Sequence, residues 1–206
     1  MPEIRCGRHL SLVNLCLNRP AQFNGLSEEL LATLKEELAL IAADPSVRCV
    51  VLSAAGKAFC AGHDLRQMRA NPRLDYYRQL FARCTDAMQT IIALPIPVIA
   101  RVHGLATAAG CQLVATCDLA IAAESASFAI PGGKGGLFCH TPLVAVARNV
   151  GRKRALEMAL TGDPISAATA ADWGLINHAV PDEELLTATA DLLARATRGS
   201  VLSKAT

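Results

Sequence analysis

Short apolar runs, each too brief for a helix, recur along the chain and alternate with stretches whose apolar residues fall at helical spacing. Arg48 to Ser53, Val98 to Val102, Leu119 to Ala123 and Phe128 to Ile130 read as buried strands. Leu74 to Ala93 carries apolar residues at 77, 80, 81, 84, 88, 91 and 92, a helical period. Strands that alternate with helices need crossover connections, and crossovers produce a largely parallel sheet covered by helices. The expected class is α/β.

The remaining elements fit that pattern. Residues 9 to 17 read as a strand that Asn18-Arg19-Pro20 ends, and Ser27 is a good N-cap for a helix running to about Ala43, with Glu28 and Glu29 in its positive first turn. A strand-to-helix turn follows Gly104, with the helix opening near Ala109. After the loop Pro131 to Gly136, Pro142 to Val150, Arg152 to Thr161 and Ala167 to Trp173 turn helical. Leu175 to Val180 reads as a strand, and Pro181 as the first residue of a last helix to about Thr197. With no repeat or linker, residues 1–206 form one domain, with a core to about 140 and a helical region from about 141.

Composition narrows the function. Hydrophobic residues make up 52% of the 206 and charged ones 18%, which excludes disorder and suggests an apolar face covered by a partner. Twenty Lys and Arg against 18 Asp and Glu leave a net charge of +2, too little for a non-specific nucleic-acid binder. The most apolar stretch, Ile91 to Val102, is broken by Pro95 and Pro97 and falls well short of a membrane span. No signal-peptide core or transit peptide is visible, so the expected location is the cytoplasm, or the mitochondrial matrix in a eukaryote. The eight cysteines show neither CxxC pairs nor zinc spacing. They read as small buried hydrophobes, with no metal expected.

Two small-residue turns hold the chemistry. Lys57-Ala-Phe-Cys-Ala-Gly-His-Asp-Leu65 follows the strand ending at Ser53, and Val102-His-Gly-Leu-Ala-Thr-Ala-Ala-Gly-Cys-Gln112 follows the strand ending at Val102. Ligands of parallel sheets bind beyond the carboxyl ends of the strands. Turns that enter helices leave amides without partners, and two such turns facing one cavity aim two N–H groups at one oxygen, an oxyanion hole. Tight packing alone is the plainer explanation of the same small residues.

Five motifs in order, Asn18-Arg-Pro, Ala58-Phe-Cys-Ala-Gly-His-Asp-Leu65, Pro97-Val-Ile-Ala-Arg-Val-His-Gly104, Ala109-Gly-Cys-Gln-Leu113 and Cys117-Asp-Leu-Ala-Ile-Ala122, resemble the enoyl-CoA hydratase/isomerase (crotonase) superfamily. Gly136-Leu-Phe-Cys-His-Thr-Pro142 and Thr161-Gly-Asp-Pro-Ile-Ser166 are most similar to its enoyl-CoA hydratase domain-containing protein 3 branch. The resemblance implies a crotonase (ClpP-like) spiral of ββα units with a helical C-terminal part, here shortened. It also implies a homotrimer or dimer of trimers, and an acyl- or enoyl-CoA thioester as ligand. No cofactor is implied beyond the coenzyme A of the substrate. Position by position, it makes the backbone N–H groups of His63 and Ala109 the oxyanion donors. His63, Asp64, Leu65 and Arg66 become the coenzyme A groove.

The departures bear on activity. Where hydratases of the family hold two glutamates around the attacking water, this chain has Gln112 and Gly132. Neither side chain can take a proton at neutral pH, so ordinary hydration is expected to be weak or absent. His140 matches the position of an acidic residue in isomerase relatives, and a histidine there offers a base. Two other readings stay open: an isomerase working through His140, and a non-catalytic acyl-CoA-binding or assembly subunit.

Overall fold

The computed structural model describes residues 2–199 and Lys204. In chain order the elements are β1 (Ile4–His9), β2 (Leu12–Leu17), α1 (Glu28–Ala42), β3 (Cys49–Ala54), β4 (Ala58–Cys60), α2 (Leu65–Ala70), α3 (Leu74–Ala93), β5 (Val98–Val102), β6 (Leu105–Thr107) and α4 (Ala109–Thr116). They continue with β7 (Leu119–Ala123), β8 (Ser127–Ala129), α5 (His140–Val150), α6 (Arg152–Thr161), β9 (Ile165–Ser166), α7 (Ala167–Trp173), β10 (His178–Val180) and α8 (Leu185–Ala196).

The strands form two sheets, ordered β1-β2-β3-β5-β7-β10 and β4-β6-β8-β9. Each turn of the chain gives one strand to each sheet before a helix carries it onward: β3 then β4, β5 then β6, β7 then β8. Pairing is parallel from β2 to β10 in the larger sheet and from β4 to β8 in the smaller. Only β1 on β2 and β9 on β8 run antiparallel. Between the layers, Leu15, Val50, Leu52, Phe59, Phe128 and Ala100 are almost wholly excluded from water. Helix α1 buries Leu30, Leu31, Leu34, Leu38 and Ile41, and the Ser27 hydroxyl accepts from the Leu30 amide at 3.1 Å, as an N-cap should. Asp118 ties loops together: its carboxylate accepts from the Val98 amide at 2.8 Å and from Lys204 Nζ at 2.6 Å.

Several elements differ from the sequence reading, each for a physical reason. The first strand is a hairpin, because β1 exposes every residue but Ile4 and has no apolar pattern of its own; β2 supplies its partner. The three-residue strands β4 and β6 and the six-residue helix α2 lie in stretches where the sequence reading placed no strand or helix, because they are too short to show a period. Pro181 is not the first residue of a helix: a 3-10 turn over Asp182–Glu184 intervenes and α8 starts at Leu185. The strand read at 175–180 shrinks to β10, because the Leu175 and Ile176 amides bond instead to the Ala170 carbonyl closing α7. Helix α5 begins at His140, two residues before Pro142, whose ring is harmless in a first turn. Six cysteines are buried as expected, but Cys6 on β1 is exposed and Cys16 half-buried. The shortened C-terminal end read at 206 falls outside the described residues.

Candidate active site

Because β4 and β6 are parallel neighbours, the turns that leave them emerge at one edge and press together. The first runs Ala61-Gly62-His63-Asp64 into α2; the second passes through Ala108 into α4. Gly62 has φ +89, and a Cβ built on it would stand 2.9 Å from Ala108 Cβ, 3.1 Å from the Thr107 carbonyl oxygen and 3.2 Å from the Ala109 nitrogen. Only glycine permits this approach.

The backbone directions follow from local bonds. Leu26 pairs with His63 as a parallel bridge: the Leu26 amide donates to the Gly62 carbonyl at 2.7 Å, and the Asp64 amide donates to the Leu26 carbonyl at 3.2 Å. In that pattern the N–H and C=O of His63 itself point away from Leu26. On the other turn, Ala108 sits at φ 52, ψ −120, a conformation that costs a residue with a Cβ on the order of 1–3 kcal/mol. It is held by its amide donating to the Ala129 carbonyl at 2.8 Å and by its carbonyl accepting from Gln112 at 3.0 Å. Ala109 then opens α4 with an amide that the helix cannot satisfy. Among the described residues, no protein group accepts from the His63 or Ala109 amide. The positive end of the α4 dipole lies at the same spot.

A cavity of about 440 Å³ opens beside these turns, lined by His63, Thr107, Ala109, Gly132 and His140 and walled by apolar groups such as Phe81 and Phe138. Among the described residues, none that lines it is acidic. Burial pushes the His63 imidazole down to about 4, so the ring is neutral, and it meets the Phe81 ring edge-on at 5.2 Å. Three buried side-chain atoms lack a partner among the described residues: His63 Nδ1, Thr107 Oγ1 and Gln112 Oε1. They sit on the His63 turn, at the end of β6 and in α4; His63 and Thr107 line the cavity and Gln112 does not. Buried polar atoms are normally satisfied, so the two on the cavity wall are free to meet a ligand. Cys60 and Cys111, beneath the turns, are pushed up to about 12 by burial and are poor nucleophiles.

The expected site residues divide. His63, Leu65, Ala109, Gly132 and His140 line the cavity. Asp64 does not: it caps α2 by accepting from Arg66 and Gln67 amides and pairs with Arg19. Burial works to raise its carboxyl, but the Arg19 guanidinium and those amides outweigh this and hold it below its ordinary value. Arg66 points to solvent. Gln112 is buried in α4 and does not line the cavity. Gly132 lies in a 3-10 turn, Pro131–Gly135, where a Cβ would come within 2.0 Å of the Leu137 carbonyl oxygen and 2.6 Å of Cys139 Sγ. His140 is exposed at the start of α5, edge-on to Phe138 at 4.9 Å. Sequence reasoning missed Phe81, Thr107 and Arg19; the Asn18-Arg19-Pro20 motif was the available signal for the last.

Comparison with known proteins fits this arrangement. The profile of the enoyl-CoA hydratase/isomerase family matches residues 7–206. The chain belongs to the enoyl-CoA hydratase/isomerase family. Enoyl-CoA hydratase domain-containing protein 3, mitochondrial, of Xenopus laevis is 47% identical over 171 residues, which is 83% of this chain and 58% of that protein. The chain thus spans little more than half the length of that relative. The crystal structure of an enoyl-CoA hydratase from Mycobacterium smegmatis superposes with a TM-score of 0.97 at 52% identity, covering 100% of this chain and 80% of that one. Human enoyl Coenzyme A hydratase domain-containing protein 3 gives 0.95 at 41%, covering 98% and 82%. The two-sheet ββα spiral is therefore the crotonase fold. In this member of the enoyl-CoA hydratase/isomerase family the two turns abut, and no carboxylate lines the cavity among the described residues.

Proposed function

We propose that this protein binds an acyl- or enoyl-CoA thioester and polarises its carbonyl between the His63 and Ala109 amides. The observation that supports this reading is the abutment of the two turns: His63 and Ala109 both line the cavity, and among the described residues their amides have no protein acceptor and the lining has no acidic residue. When charge develops on the thioester oxygen, as in an enolate, preorganised N–H donors and the α4 dipole stabilise it. Loss of one such donor costs roughly 3–4 kcal/mol of barrier in other enzymes. The apolar walls strengthen these interactions by excluding water. His63 and Leu65 lie where the thioester arm would pass, and Asp64 and Arg66 serve the turn itself.

Hydration of a double bond needs a base for water and an acid for carbon, and neither Gln112 nor Gly132 supplies one. We therefore expect slow or absent crotonyl-CoA hydration. The test is titration with butyryl-CoA, which cannot be hydrated, alongside a crotonyl-CoA hydration assay. Binding of butyryl-CoA with negligible hydration supports the reading; turnover like that of a two-glutamate hydratase refutes it. Failure to bind any CoA thioester refutes it as well.

One observation favours a second reading, in which the protein is an isomerase: the exposed His140 lines the same cavity as His63 and Ala109. There the imidazole would take a proton from the α-carbon, the C–H pair would enter the enolate, and return of the proton at the far carbon would move the double bond. His140→Ala would then abolish migration and keep thioester binding. Tight binding with no conversion of any thioester leaves the third reading, a non-catalytic acyl-CoA-binding subunit. Assembly as a homotrimer or a dimer of trimers belongs to the same proposal, and light scattering decides it. So does location, the mitochondrial matrix for a eukaryotic source and the cytoplasm otherwise.

A further inference from the structure

Beside the His63 turn lies an ion cluster whose residues, Arg19, Glu3 and Asp64, do not line the cavity. Arg19, two residues past β2, sends its guanidinium to three separate segments. Nε forms an ion pair with Glu3 Oε2 at 2.8 Å, Nη1 donates to the Gly25 carbonyl at 2.6 Å, and Nη2 donates to Asp64 Oδ2 at 3.0 Å. The Arg19 and Asp64 side chains are only 15% and 11% exposed, so solvent screens this pair far less than a surface one. The base of the arginine is fixed too. Its amide donates to Asn24 Oδ1 at 2.8 Å, and the fully buried Asn24 donates in turn to the Ala55 and Ala58 carbonyls, both at 2.8 Å.

Two of the three guanidinium contacts bracket the bridge that aims the His63 amide. Gly25 precedes Leu26 on one chain, and Asp64 follows His63 on the other. The same Asp64 carboxylate caps α2 through the Arg66 amide at 3.0 Å, so the exit of the turn is held as firmly as its entry. An amide built into a regular sheet needs no such brace. This one sits on an isolated two-residue bridge, outside any strand, held by the Leu26 amide on the Gly62 carbonyl and the Asp64 amide on the Leu26 carbonyl with no neighbouring ladder bonds to reinforce them.

We propose that Arg19 is a positioning residue of the thioester site: by clamping Gly25 and Asp64 across the Leu26–His63 bridge, it sets the direction of the His63 amide. The proposal rests on that amide being the donor to the thioester carbonyl. A planar fork with donors in fixed directions can reach three acceptors at once; the point charge of lysine cannot. Arg19→Lys thus keeps the charge and removes the geometry.

The test uses the whole protein and butyryl-CoA labelled with carbon-13 at its carbonyl. In the native protein the bound carbonyl stretch moves to lower frequency as the amides draw charge onto oxygen. In Arg19→Lys this displacement falls to about half or less and exchange of the α-hydrogens with deuterated water slows about 10²-fold, the cost of a small misplacement of a catalytic group. The melting temperature stays within a few degrees, because few other contacts depend on the fork. Asp64→Asn, which keeps the helix cap, gives the same spectroscopic loss and serves if Arg19→Lys does not fold. A full displacement in either variant overturns the proposal.

Hydrogen exchange of the ligand-free protein separates this proposal from the functional one. Arg19→Lys should speed exchange of amides in the segment Ala61–Arg66 about tenfold and leave α1 and β3 unchanged. Unaltered protection there overturns the positioning role, whatever the protein binds. If the native protein shows no carbonyl displacement and yet the exchange result holds, the thioester reading is what fails.

Discussion

Restoring the missing glutamate at position 132 should damage the protein rather than rescue hydration. Gly132 is half-buried, but the direction a Cβ would take is blocked. The first atom of any side chain would lie 2.0 Å from the Leu137 carbonyl oxygen, 2.6 Å from Cys139 Sγ and 3.1 Å from the Cys139 nitrogen. The turn that makes these contacts is closed by the Leu137 amide donating to the Gly132 carbonyl at 2.9 Å and by the Gly132 amide donating to Cys139 Sγ at 3.2 Å. Making room for a Cβ costs roughly 1–3 kcal/mol of overpacking, and opening the two bonds adds about 1 kcal/mol each. The sum is about 3–5 kcal/mol, a large share of the 5–15 kcal/mol that holds a domain together. At roughly 2–4 °C per kcal/mol for a chain of this size, Gly132→Glu should melt about 6–20 °C below the native protein. Differential scanning fluorimetry measures this directly. A parallel crotonyl-CoA assay on Gly132→Glu, Gln112→Glu and the double variant should show no recovered hydration. A double variant that melts with the native protein and hydrates crotonyl-CoA faster than Gln112→Glu would refute the steric reasoning.

Gly62→Ala places a methyl 2.9 Å from Ala108 Cβ at φ +89. It should push the two turns apart and destabilise by about 2 kcal/mol or more, with butyryl-CoA binding weakened well beyond the loss of folded protein; calorimetric titration that finds native affinity would count against the paired-amide site. His63 makes stability pH-dependent. Burial holds its folded imidazole at about 4, below the ~6.5 of an unfolded chain, so the unfolded state binds more protons between those values and stability falls as pH drops from about 6.5 to about 4. The gap is worth up to about 3 kcal/mol, and urea midpoints at pH 7 and pH 4.5 should differ less in His63→Phe than in the native protein. Equal differences in the two proteins would show that this ring carries none of the acid sensitivity.

The sequence revealed elements wherever the pattern was long enough to repeat. Helix α3 was expected at 74–93 and is found there, because twenty residues give several turns of apolar spacing. The β5 and β7 strands and the start of α4 were equally plain, as apolar runs bounded by glycine or polar residues. What escaped were the pieces that exist only through partners. Strand β1 has one buried residue and is a strand because β2 lies beside it. Strands β4 and β6 have three residues each and are strands because they lie against one another. The site shows the same division. The small residues at 62 and 108–110 pointed to a place of close approach, whereas the strained Ala108 backbone and the Arg19 clamp became visible only once distant segments met.

From residues alone came the chemistry that is possible and the chemistry that is not. Gln and Gly at positions 112 and 132 offer no carboxyl at those two positions however the chain folds, since no conformation lends a proton site to a side chain that lacks one. The alternation of apolar strands with amphipathic helices likewise required crossovers and a parallel arrangement. Direction, by contrast, is a property of the assembled structure. Whether the His63 amide faces Leu26 or the cavity depends on which chain pairs with it, and pairing across 37 residues of sequence is decided by packing. Whether position 132 tolerates a side chain depends on a carbonyl five residues later folding back upon it. Local sequence sets which atoms are present; only the closed tertiary structure sets where each N–H points and which space is already filled.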